Sequence, residues 1–66
     1  MDAEIVKNLL EQIERRGVKH GVIAKHIGVS QPHFSQMING KRTMTYDRIY
    51  LVLDFLGLKW DDISAV

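Results

Sequence analysis

Glycines at positions 17, 28, 40 and 57 cut the chain into short stretches, and residues that cap helices stand ahead of three of those stretches: Asp2, Ser30 and Thr45. A hydroxyl or carboxylate at such a position accepts hydrogen bonds from the free amides of a first helical turn, and a glycine just past the last turn ends the helix. No run of alternating apolar and polar residues interrupts the pattern. Segments of this length can only fold as short helices that bury their apolar stripes against one another.

The stripes themselves follow. Asp2 is expected to cap a first helix in which Ile5, Val6, Leu9, Leu10 and Ile13 share one face, with Arg15 and Arg16 against the negative end of its dipole and Gly17 as the stop. A second helix is predicted from about His20 to Ile27, turning Ile23, Ala24 and Ile27 inward, with Gly28 as its stop. Ser30 then caps a third helix over Gln31 to Asn39, with Pro32 in the first turn, where a missing N–H is harmless, and Asn39-Gly40 as a left-handed exit. Thr45 caps a fourth, whose Tyr46, Ile49, Tyr50, Val52, Leu53 and Leu56 are expected to face inward, and Gly57 ends it. A last turn covers Trp60 to Ile63. The expectation is one compact, all-α, five-helix domain over residues 1–66.

A chain of 66 residues buries only about 60% of its unfolded surface. With no cysteine there is neither a disulfide nor a thiolate metal site, and the core must come from helix packing alone. No apolar run approaches the roughly 20 residues that span a bilayer, and the N-terminus is acidic, unlike a signal region. The expectation is a soluble, unprocessed chain of a reducing cytoplasm, on the nucleoid when bound. No ligand sensor or activation domain is expected beyond the helices, and no small-molecule ligand is evident.

The net charge of +1 conceals an uneven distribution. Residues 1–14 carry one lysine against four acids, a balance of −3; residues 15–48 carry seven cations against Asp47, a balance of +6; the remainder carries Lys59 against three aspartates, a balance of −2. A basic middle between acidic ends suits a one-sided surface for a polyanion.

That basic middle contains the most informative stretch, HGVIAKHIGVSQPHFSQMINGK from His20 to Lys41. Two short helices flank a tight Gly28-Val29-Ser30 turn, which is the helix-turn-helix pattern. Ala24 is small enough for the second helix to cross closely, Gly28 can take the positive φ of the turn, and Ile23, Ile27, Val29, Phe34 and Met37 supply the wedge that sets the crossing angle.

Continued through GKRTMTYDRIYLVLDFLGLKWDDI, the chain resembles the lambda-repressor-like family, the Cro/C1 or XRE type, over nearly its whole length. The resemblance implies a sequence-specific double-stranded DNA-binding regulator of a bacterium or phage. It implies that the third helix enters the major groove with Gln31, Pro32, Ser35 and Gln36 toward the bases and His33 at the edge of that face. A glutamine amide offers one donor and one acceptor, matching adenine N6 and N7. Asn39, Lys41 and Arg42 fall where the family grips the phosphate backbone, and Arg48 extends that grip. The chain departs from the family at His20, where a phosphate-clamping glutamine is usual and the imidazole is expected to donate to the phosphate in its place, and at Gly21 within the same helix.

One recognition helix reads few base pairs, so the expectation is a homodimer on a palindromic operator, acting as a repressor by covering a promoter. Leu51 and Phe55, at positions the family usually keeps polar or small, together with Leu58, Trp60 and the end Ile63-Ala65-Val66, are the candidate interface; closing a small core is the other reading of the same residues. A protein-interaction module, such as an antitoxin or anti-repressor, is the main alternative function; it would place apolar residues where Gln31, Ser35 and Gln36 stand. A non-specific or single-strand binder would carry a higher charge or exposed stacking aromatics, whereas Phe34, Tyr46, Tyr50 and Trp60 are expected in the core. His20, His26 and His33 share no helix face, so no metal site is expected, and no nucleophile–base spacing or phosphate loop suggests an enzyme or a cofactor.

Overall fold

The computed structural model describes residues 3–64, which form five helices and, among those residues, no strand: α1 (Ala3–Arg16), α2 (His20–Ile27), α3 (Gln31–Ile38), α4 (Tyr46–Leu56) and α5 (Asp61–Ser64). The expected caps operate where they can be seen. The Ser30 hydroxyl accepts from the His33 amide at 3.2 Å, and the Thr45 hydroxyl from the Arg48 amide at 3.4 Å. Gly28 takes φ +81°, and its amide and that of Val29 return to carbonyls of α2, so the chain leaves α2 and enters α3 within three residues. The Asp2 cap lies outside the described residues.

The core gathers Val6, Leu9 and Ile13 from α1, Ile23, Ala24 and Ile27 from α2, Phe34, Met37 and Ile38 from α3, Ile49, Val52 and Leu53 from α4, and Ile63 from α5. Met44 joins them from the extended loop before α4. α2 packs against both α3 and α4, and α1 against α3 and α5. The chain ends are tied by a part-buried bond from the Asn8 amide to the Ile63 carbonyl, 2.8 Å, and by Gln12 to the Asp62 carbonyl, 3.3 Å. No side-chain nitrogen or oxygen among the described residues is buried without a partner, and no helix there is long and apolar enough to cross a membrane.

Three expectations need correction. Tyr46 and Tyr50 do not face inward: they are 56% and 54% exposed. Ile49, Val52, Leu53 and Leu56 define the inward direction of α4, and the two tyrosines, four residues apart, fall on the border of that stripe. They lie instead against Trp60, with ring centroids 5.7 and 5.5 Å away, so each ring keeps an apolar contact and leaves its hydroxyl to water. Trp60 itself is half-buried, so of the four aromatics assigned to the core only Phe34 is fully enclosed.

The end of α3 also differs. Asn39 caps the helix with φ −93°, outside the left-handed region, and Gly40 alone makes the left-handed exit at φ +79°. The Asn39 side chain explains this, since its Nδ2 donates back to the Ser35 carbonyl at 2.8 Å and satisfies the last turn from the side. The final helix runs one residue later than predicted, with Trp60 in the turn before it and the Asp62 carboxylate accepting from the Lys59 amide at 2.8 Å.

Candidate nucleic-acid interface

α3 is held from behind by Phe34, Met37 and Ile38, all buried. Pro32 and Gln36 fall on the opposite side and are exposed, Gln31 is exposed at the first position of the helix, and His33 and Ser35 are half-buried. The five residues expected to look toward bases therefore lie on or at the rim of one face. One of their side chains has a hydrogen-bond partner in the protein, and another lies close to the neighbouring helix. The side-chain oxygen of Gln31 points at α2, 3.0 Å from where a Cβ on Gly21 would stand, and Gln36 Oε1 accepts from Arg42 Nε at 2.5 Å.

The loop after α3 folds back on the same residue. The amides of Lys41 and Arg42 both donate to the Gln36 carbonyl, at 2.8 and 3.2 Å, which returns the loop to the end of α3, and the Arg42 side chain reaches Gln36 from it. Lys41 and Arg42 are exposed. An open groove of about 490 Å³ runs between this loop and α1, and Lys7 stands on it with Lys41 and Arg42, extending the basic rim. Asn39 is exposed but spends its amide N–H on Ser35. Arg48 is half-buried on the first turn of α4.

Searches of protein-family models, curated proteins and solved structures find no match for the chain.

His20, at the start of α2, is half-buried and packs its ring edge-to-face with that of Phe34, centroids 5.4 Å apart and planes at 81°. Its ring thus braces α3 through the core as well as standing near its surface. Six of the seven cations between residues 15 and 48 are exposed, Arg48 being the exception. No cluster of three or more metal-binding side chains occurs among the described residues.

The candidate interface residues separate into two kinds. Leu51 is 43% exposed on the outer side of α4. Phe55, Leu58 and Trp60 are half-buried against the core, and Phe55 lies 4.7 Å from the His26 ring. Ala65 and Val66 are outside the described residues.

Two features escaped sequence reasoning. The Arg42–Gln36 bond joins residues six apart across a loop, a spacing no helical rule selects. Gly21 reads in the sequence only as a weak point of α2. In three dimensions its missing Cβ is the space that the Gln31 amide fills, and a glycine inside an otherwise good helix is the one signal that pointed there.

Proposed function

We propose that this protein is a sequence-specific double-stranded DNA-binding regulator of the lambda-repressor-like, Cro/C1 helix-turn-helix kind, acting as a dimer on a palindromic operator and repressing by occlusion. The observation that carries the reading is the continuity of Gln31 and Gln36, exposed on α3, with Lys41 and Arg42 on the loop that folds back to it. Amide side chains beside guanidinium and ammonium groups combine base-edge readout with phosphate anchoring on one surface. A helix of eight residues is about 12 Å long, enough for a few base pairs, and a second copy about 34 Å away would double the site. Leu51 and the outer edges of Phe55 and Trp60 are the apolar groups available to that second copy.

Selection of binding sites from random duplex DNA, followed by titration at two salt concentrations, tests the reading. A palindromic winner with half-sites about 10 base pairs apart, and affinity falling steeply with salt, supports it. Absence of any enriched sequence, with weak binding even at low salt, overturns it.

A second reading, a protein-interaction module, draws on a separate observation. Tyr46, Tyr50 and Leu51 are exposed on α4, where Asp47 and Asp54 outnumber the one cation, Arg48. That surface suits a protein partner and not a polyanion.

A further inference from the structure

Gln36 is fastened at both ends to one loop. Its carbonyl takes the amides of Lys41 and Arg42, and its side-chain oxygen takes Arg42 Nε. A guanidinium carries five N–H donors and no acceptor, so the amide facing it must present oxygen, whichever way the hydrogens elsewhere are placed. The Nε2 amino group, with two donors, is then the end left to lead away from the loop on an exposed side chain.

We infer that Arg42 is a positioning residue that turns Gln36 from an adenine reader into a reader of acceptor-rich base edges, guanine above all. The inference rests on the DNA-binding reading above. A bidentate pair with adenine needs the amide oxygen and nitrogen side by side against N6 and N7, whereas here the oxygen end is turned into the loop. Guanine offers two acceptors, N7 and O6, to a leading amino group; thymine offers O4 and adenine N7; cytosine offers only a donor and leaves the amide unpaired. Arg42 keeps its four Nη hydrogens for a phosphate while Nε holds the amide, so one side chain anchors the backbone and sets the base preference.

The test starts from the selected site, at the position whose preference Gln36→Ala erases. Titration against the four bases there is expected to rank guanine first and cytosine last, about tenfold apart. Arg42→Lys, which keeps the charge but lacks the planar Nε–H, and Arg42→Met, which loses both, should move the preference to adenine; only Arg42→Met should lower affinity on every sequence. Lys41→Met should lower affinity on all four bases without moving their order. Adenine preferred by the unaltered protein, or an order unchanged in both Arg42 variants, overturns the inference while leaving DNA binding standing. Failure to select any sequence overturns the DNA-binding reading and this inference with it. In the free protein, NMR should show Arg42 Nε–H protected from exchange and coupled through the hydrogen bond to the Gln36 carboxamide; a freely exchanging Nε–H overturns the lock by itself.

Discussion

The Gln31 amide oxygen lies 3.0 Å from the point that a Cβ on Gly21 would occupy, so the start of α3 sets a side chain close against the first turn of α2. Gly21 has ordinary helical backbone, so replacing it strains nothing in α2 itself. Gly21→Ala should stabilise the helix by about 0.5–1 kcal/mol, raising Tm by about 3–6 °C in a domain of this size. The flexible Gln31 side chain should shift to admit the methyl group and relax base preference at the position it reads. A melting curve and a repeat of the site selection check the two halves separately; an unchanged or lower Tm would mean that the Gln31 contact outweighs the gain in helix propensity.

Gly28 makes the turn between α2 and α3 at φ +81°. A side chain there meets no neighbouring atom, so the penalty is purely conformational. Gly28→Ala should destabilise by about 1–2 kcal/mol, read as a lower urea midpoint at constant m value.

Phe34 is fully buried beneath α3 and also supports the His20 ring. Phe34→Ala should remove about 3–5 kcal/mol, against a total of roughly 3–10 kcal/mol for a domain of this length. Loss of cooperative thermal unfolding in the circular dichroism signal is the expected result, and a variant that melts within a few degrees of the parent would contradict the assigned packing.

Asn8 joins α1 to α5 through the Ile63 carbonyl. Asn8→Ala leaves that part-buried carbonyl without its side-chain donor and should lower stability by about 1 kcal/mol. The bond lies between α1 and α5 and touches no residue of α3, so affinity for the selected DNA site should stay within twofold when both proteins are fully folded.

On the DNA-binding reading, Lys41 and Gln36 are expected to make different kinds of contact. Lys41→Ala should weaken binding to all sequences alike and reduce the slope of log affinity against log salt by about 1, whereas Gln36→Ala should cost about 1–3 kcal/mol on the preferred site and little on random DNA. Equal losses on both DNAs for both variants would contradict the division between phosphate and base contacts.

Much of the architecture follows from local chemistry. Ser30 and Thr45 cap their helices through their own hydroxyls, Gly28, Gly40 and Gly57 turn left-handed, and the four-residue recurrence of Leu9 and Ile13 is enough to place a buried face. These effects act within one or two turns of chain, so the sequence by itself located the helices to within a residue at their ends and the middle of each apolar stripe.

Contacts distant in sequence decided the remainder. Helical periodicity locates the middle of a stripe but not its edges, so only the return of the chain through Trp60 left Tyr46 and Tyr50 outside the core. Met44 sits in an extended loop with no period to read, and its burial comes from the helices that close over it. Arg42 found its partner, the Gln36 amide, because the chain after α3 folds back along it. A propensity belongs to a residue and its near neighbours, but the partner of a long polar side chain is set by which backbone and side-chain groups the finished fold brings within 3 Å of it.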